Sequence, residues 1–301
     1  MFKDLIFGCF EKYSLESILA WLNSIKFSKY KGDIILIVYG NKNDIDSRIF
    51  NLHSYFNNIS VLHKPLPSQP VVVERFKDMS IFLSLTKNNY RFIFSTDPSD
   101  VVFQINPSKI ASPYYSGSQL IIACSESIIY KNETWGNKNM FDSFPEYYEF
   151  MLEKEIFNAG TILGTKEIIK DLFNDIYELS IKSFNSNPDQ AAYNILIQSK
   201  YYESTYFSRI SDGISIQCGT TAWPLRLSQY GNLLLEKPFF YDGIAYSLNG
   251  IKVGILHQYN KVPSLHDHII KRFYTGIQLS RKNRLKDFIM SLFFRVIYSL
   301  K

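Results

Sequence analysis

Short apolar runs of β-type residues alternate with segments of helical periodicity along most of this chain. That alternation constrains the fold more than any other feature. "DLIFGCF" (4–10) reads as a strand. In "SLESILAWLNSIKF" (14–27), Leu15, Ile18, Leu19, Leu22 and Ile25 share one helical face, and Ser14 stands where an N-cap belongs. "DIILIVY" (33–39) is a buried strand, Ile45 to Phe56 a second helix, and "ISVL" (59–62) a third strand. A helix over 73–86, carried by Phe76, Met79, Phe82 and Leu83, leads into the strand "RFIFS". "QLIIAC" (119–124), an interrupted strand "EIFNAGTILGT" (155–165), helices near 166–183 and 188–200, and a last buried strand "KVGIL" (252–256) complete the series. The expectation is an α/β fold with a mostly parallel central sheet and helices on both faces. Such sheets bind ligands beyond the carboxyl ends of their strands.

A length of 301 residues suits one large α/β domain or two small ones, and 46% hydrophobic content is enough for a sizeable core. No internal repeat or interdomain linker is evident. We therefore place one domain over 1–275 and a basic amphipathic tail over 276–301. The net charge of +5 is concentrated at the C-terminus, in "RKNRLK" (281–286) and Arg295. It lacks the dense basic stripe of a nucleic-acid binder, so no nucleic-acid partner is expected. Cys9, Cys124 and Cys218 are few and far apart, with no CxxC, which indicates neither a disulfide framework nor a zinc ribbon and favours a reduced, cytoplasmic setting. The N-terminus shows no signal-peptide pattern, and no run reaches the length of a membrane span.

Four stretches carry residue types with chemistry. In "RFIFSTDPSDVVFQINP" (91–107), Asp97 and Asp100 follow an apolar run. Two carboxylates in one turn repel unless donors or a cation neutralise them, and a hard divalent cation would do so. The same residues also suit an ordinary capped turn before Pro98 and Ser99. "FNAGTILGT" (157–165) places Asn158 and glycines among β-type residues, which permits either close approach to a ligand or a bulge. "NPDQAAYN" (187–194) opens a helix, with Asn187 able to cap it, Pro188 in its first turn and Asp189 at its positive end. "GILHQYNKVP" (254–263) sets His257 after a strand with Lys261 four residues on.

The order of these stretches resembles the retaining glycosyltransferases of the family that includes glycogenin and bacterial lipopolysaccharide galactosyltransferases. That family carries a DxD, an FNAG-like strand, a DQ and an HFxGxxKP, and the resemblance spans residues 4 to 263. "DVVFQ" is also similar to a stretch in a wider group of sugar transferases. Two departures stand out: Asp-Pro-Ser-Asp is one residue longer than DxD, and no glycine follows His257 at the family's spacing. Asp100 is the firmer match, whereas Asp97 is left between a metal ligand and a contact to sugar or ribose.

The resemblance implies a GT-A nucleotide-sugar transferase fold and a metal-dependent hexosyltransferase that is retaining. The donor would be a nucleotide sugar with UDP as the nucleotide, and the acceptor a surface-glycan or lipid-linked saccharide, hence a role in polysaccharide biosynthesis. It implies Mn²⁺ or Mg²⁺ held by Asp97, Asp100 and His257. It also implies donor binding by Asp97, Asn158, Ala159, Gly160, Gln190 and Lys261, and catalytic roles for Asp189 and Asn158; Arg75, on the helix before the Asp97 strand, suits either a second positive contact to the donor diphosphate or an ordinary surface helix arginine. The polar stretch 126–139, with Tyr130, Glu133 and Trp135, suits a loop that stacks on an acceptor sugar or an ordinary surface excursion. In the tail, Ile289, Leu292, Phe293 and Ile297 share a helical face beside Lys286 and Arg295, which suits either an anionic membrane surface or packing on the domain. The localisation expected from these features is cytoplasmic, peripheral to the inner face of the cell membrane. A module on the same fold that binds a nucleotide sugar without catalysis is the alternative. A nucleotidyltransferase ranks lower, because "IFGCFEKYS" has a single glycine where a phosphate loop needs several.

Overall fold

The computed structural model describes residues 3–274. The tail assigned to 276–301 lies outside them. Twelve strands are present among the described residues: β1 (Lys3–Glu11), β2 (Asp33–Tyr39), β3 (Ile59–Lys64), β4 (Tyr90–Thr96), β5 (Val101–Phe103), β6 (Ile121–Ile129), β7 (Glu155–Thr165), β8 (Thr205–Ser208), β9 (Ser215–Gln217), β10 (Phe239–Tyr241), β11 (Ile244–Tyr246) and β12 (Ile255–His257). Seven of them form one sheet in the order β3-β2-β1-β4-β7-β6-β8. All neighbours pair in parallel except β7, which runs antiparallel between β4 and β6.

Alternation along β1 shows how the layers form. Leu5, Phe7 and Cys9 face one side, against Phe76, Met79 and Leu83 of the helix Val71–Leu85 and Leu172 and Phe173 of the helix Lys166–Ser180. Ile6 and Phe10 face the other side, with Ile18, Leu19 and Leu22 of the helix Leu15–Phe27. Each fully buried Leu, Ile or Phe of this kind contributes about 1.5–3 kcal/mol. A mostly parallel α/β sheet covered on both faces is what the sequence pattern predicts.

Several local expectations change. The second helix is only a turn, Ser47–Phe50, followed by a 3₁₀ turn at Leu52–Ser54. Ser14 occupies the N-cap position without a side-chain cap bond, and Asp46 Oδ2 accepts from Leu15 N instead, at 3.1 Å. Asn187 does not cap its helix, because Pro188 holds that position. The stretch 155–165 is one continuous strand, not an interrupted one. The stretch 126–139 is not a loop either: Glu126–Ile129 completes β6, Tyr130 is buried, and Glu133 caps the helix Thr134–Ser143 by accepting from Gly136 N.

The last predicted strand does not join the large sheet. β12 lies in a second sheet of order β5-β12-β9, antiparallel to β5 and parallel to β9. This small sheet decides where Asp100 and His257 meet. Its register places His257 opposite Val101 on one side and Gln217 on the other. Asp100 thus precedes a strand rather than ending one, and the antiparallel pairing brings it beside His257. Among the described residues no helix is long and apolar enough to cross a membrane.

Candidate active site and metal centre

The strand order reverses between β1 and β4, and ligands on open α/β sheets bind at such points. β4 ends at Thr96, and Asp97 follows. The turn Asp97-Pro98-Ser99-Asp100 is seated by a close approach. A Cβ on Gly8 of β1 would stand 2.7 Å from Pro98 and 2.9 Å from Trp21, so glycine is what lets buried Pro98 pack there. Trp21 Nε1 in turn donates to Thr96 Oγ1 at 2.9 Å.

Asp97, Asp100 and His257 each offer a ligand atom within 4.8 Å of the others. His257 Nε2 lies 3.3 Å from Asp100 Oδ1 and 3.9 Å from Asp97 Oδ2. Gln217 Nε2 donates to Thr161 Oγ1 at 2.9 Å, which turns Gln217 Oε1 toward His257 Nδ1, 2.5 Å away. In the tautomer with the proton on Nδ1, donated to Gln217 Oε1, the Nε2 lone pair faces the two aspartates. Asp100 Oδ1 is a buried oxygen without a hydrogen-bond partner. Two lone-pair atoms thus face one another at 3.3 Å, a contact that only a proton or a cation between them relieves. The donor set of one imidazole and two carboxylates fits Mn²⁺ or Mg²⁺, and the bond to Gln217 is the outer support that orients a metal-binding histidine. Burial works to lower the pKa of His257, but the charges of Asp100 and Asp97 outweigh it and raise it overall. A proton on Nε2 and a metal compete for the same lone pair, so metal affinity falls as pH drops.

β7 supplies the opposite wall. Because it runs antiparallel to β4, its first half reaches the carboxyl ends of the parallel strands. Thr96 pairs with Thr161, and Asp97 N donates to Gly160 O at 3.2 Å. A Cβ on Gly160 would stand 2.6 Å from His257 Cε1 and 2.8 Å from both Asn158 Oδ1 and Asp97 Oδ2. Gly160→Ala is therefore expected to displace the metal ligands and lower stability by about 1–3 kcal/mol. Thermal unfolding together with Mn²⁺ titration checks this, and an unchanged metal affinity would contradict it.

Arg75, on the helix Val71–Leu85, is buried and bridges two acids. It donates to Asp97 Oδ1 and, at 3.1 Å, to Asp189 Oδ2, with the Ala159 carbonyl 3.5 Å away. Asp189 opens the helix Asp189–Ile197. Burial raises its pKa, Asp97 adds to the rise, and the Arg75 guanidinium opposes it. The same helix clamps β7 through Asn194, which accepts from Phe157 N at 2.8 Å and donates to Phe157 O at 2.6 Å. Next to this clamp, Gln190 Oε1 lies 3.3 Å from Asn158 Nδ2 and 3.4 Å from Ala159 N. Arg75, Asp97, Asn158, Ala159, Gly160, Asp189 and Gln190 are thus one connected group. Lys261 is exposed, with its ammonium 5.5 Å from the centre of the Trp223 ring. Trp135 is half exposed on its helix.

Four residues of this neighbourhood escape a reading of the sequence: Gly8, Thr161, Gln217 and Glu126. Only Glu126 left a signal there, as a charged residue inside the apolar run "IIACSESII". A cleft of about 540 Å³ opens beside the metal group, lined by Phe10, Glu11, Tyr13, Val72, Arg75 and Asp97.

No protein-family model matches the sequence, and no curated protein matches it. Solved structures do match the fold. The bifunctional glycosyltransferase WbbM superposes with a TM-score of 0.60 at 15% identity, over 91% of this chain and 50% of that one. The galactosyltransferase LgtC, in complex with donor and acceptor sugar analogues, gives 0.54 at 10% identity, over 94% and 99% of the two chains. The glycosyltransferase GlyE of Streptococcus pneumoniae TIGR4 gives 0.52 at 13% identity, over 86% of this chain and 55% of that one. The chain thus spans about half the length of WbbM and of GlyE. The strand order above and these superpositions agree on one architecture: the chain has the GT-A fold of these glycosyltransferases.

Proposed function

We propose that this protein transfers a sugar from a nucleotide-sugar donor, UDP-linked by the resemblance, to a saccharide or lipid-linked saccharide acceptor, with Mn²⁺ or Mg²⁺ held by Asp97, Asp100 and His257. The observation that carries the reading is the facing pair of lone-pair atoms, His257 Nε2 and the unpartnered Asp100 Oδ1, in a glycosyltransferase fold. A divalent cation bound there would offset negative charge on a departing diphosphate. The chain's own residues do the rest. The cleft beside the group is large enough for a nucleotide and sits at the strand-order reversal. Arg75, fixed between Asp97 and Asp189, holds a positive charge on the cleft wall. Asp189 presents a buried carboxylate to the sugar-binding side, where it would stabilise positive charge developing on the sugar. The fixed network of Asn158 and Gln190 would hold the sugar against the Ala159–Gly160 backbone. Lys261 is assigned to the diphosphate by the motif resemblance alone.

The test is a screen of nucleotide sugars for hydrolysis and transfer, with Mn²⁺ and with chelator. Metal-dependent cleavage of at least one donor is expected. Tight donor binding without cleavage would select the catalytically inactive binding module, and no binding at all would end both readings. Attachment to the inner membrane surface rests on the composition of 285–301 alone. Salt-sensitive binding to anionic vesicles, lost when 285–301 is deleted, is its test.

A further inference from the structure

We propose that Glu126 is a positioning residue: its carboxylate sets the orientation of both the Asn158 and the Gln190 side-chain amides and so holds the sugar-binding wall in one arrangement. The inference rests on the sugar-transfer reading above. Glu126 sits in the interior of β6, is 8% exposed, and has three neutral donors as partners. Its Oε1 accepts from Asn158 Nδ2 at 2.7 Å and from Gln190 Nε2 at 3.2 Å, and its Oε2 accepts from Thr220 Oγ1 at 2.8 Å.

An ionised carboxylate only accepts, so both amides must turn their nitrogen toward it. That choice settles everything downstream. With Nδ2 committed to Glu126 and to Gln190 Oε1, Asn158 turns its Oδ1 to Gly160 N, at 2.6 Å. With Nε2 on Glu126, Gln190 turns its Oε1 to Asn158 Nδ2 and Ala159 N. Gly160 is the residue whose carbonyl receives Asp97 N. The carboxylate therefore orders a chain of bonds that runs from β6 to the metal turn. Both protons of Asn158 Nδ2 are consumed in it, and the second proton of Gln190 Nε2 is the donor it leaves over. A flipped amide at either position would set a lone pair against a lone pair and loosen the Ala159–Gly160 backbone.

The charge state of Glu126 matters for the same reason. Burial raises its pKa, the bonds from Asn158 and Thr220 lower it, Glu133 raises it and His257 lowers it. A protonated or amidated side chain would present a donor where three donors already converge.

The experiment compares wild type, Glu126→Gln and Thr220→Val. Two readouts are taken: steady-state turnover of the donor found in the screen, and the side-chain amide resonances of Asn158 and Gln190 in ¹⁵N-labelled protein. Glu126→Gln should lower kcat about 10- to 100-fold, the effect of losing hydrogen bonds to a charged group, with a donor KM within about threefold of wild type. Thr220→Val keeps both amide bonds but takes one donor from the buried carboxylate, so its fall in kcat should be smaller than that of Glu126→Gln. In wild type the two amides should exchange their protons slowly, and in Glu126→Gln both resonances should shift. Unchanged kcat and unchanged resonances in Glu126→Gln would overturn the proposal. So would fast, solvent-like exchange of both amides in wild type, a result that does not depend on whether the variant folds. If wild type turns over no nucleotide sugar, the sugar-transfer reading fails, whereas the amide resonances still report whether Glu126 orients the two side chains.

Discussion

Asp100→Ala is expected to lower Mn²⁺-dependent donor turnover by more than about 100-fold, beyond the 10- to 100-fold that loss of an outer-shell partner alone produces. Above the raised pKa of His257, where Nε2 carries no proton, the metal-free variant should nevertheless be at least as stable as wild type, whereas below it the variant loses the ion pair of Asp100 with the imidazolium. Asp100 Oδ1 is buried without a hydrogen-bond partner and faces the His257 lone pair, so its removal relieves a contact that the metal-free protein holds at a cost. The two effects have opposite sign and are measured separately. In chelator, at a pH above the folded pKa of His257, thermal unfolding of the variant should match or exceed wild type. Mn²⁺ at about 100 times its Kd should stabilise wild type by about 2.7 kcal/mol and leave Asp100→Ala unmoved. The Mn²⁺ effect on wild type should also weaken as pH falls, because the proton favoured on His257 by the neighbouring aspartates competes with the metal. Turnover at the wild-type rate in Asp100→Ala would remove Asp100 from the site.

Arg75→Met should destabilise the protein by about 3–5 kcal/mol, the cost of removing one partner from a buried ion pair. Arg75 and Asp189 have side chains only 9% and 10% exposed, so Asp189 is left charged in a dry environment. Asp97 suffers less, because its side chain is 32% exposed and water replaces part of what is lost. Adding Asp189→Asn to Arg75→Met should recover part of the loss, since a neutral amide needs no counter-charge. A double-mutant cycle by urea unfolding measures this coupling. The pH dependence has a definite sign. Burial already raises the Asp189 pKa above its unfolded value and Arg75 holds the rise down. Without Arg75 the folded pKa rises further, so the folded state binds the extra proton. The penalty of Arg75→Met should therefore be largest at neutral pH and shrink as pH falls through the folded pKa of Asp189. A penalty that is flat with pH, or below about 1 kcal/mol, would show that the bridge contributes little.

Periodicity alone outlined β1, β2, β4 and the helices that became Leu15–Phe27 and Val71–Leu85, because a strand buried on both faces leaves an unbroken apolar run and a covering helix leaves a one-sided stripe. Asp97, Asp100 and His257 were also visible, as carboxylates and an imidazole at the ends of apolar runs, whereas Asn158 and Asp189 stood out only through the order of the motifs. Their assembly was not. Asn158 reaches the turn Asp97-Pro98-Ser99-Asp100 only because β7 reverses direction within a parallel sheet, and a run of β-type residues carries no mark of its direction. Asp100 and His257 meet only because β5 and β12, three residues each, pair in a separate sheet, and runs so short have no periodicity to read. Glu126 and Gln217 act through hydrogen bonds to residues far along the chain, which no local pattern encodes. Local periodicity and residue type were enough for the layers and for the kinds of polar group at the site. The tertiary structure decided which of them face one another, because that depends on strand direction and register, and those are settled by pairing between distant segments.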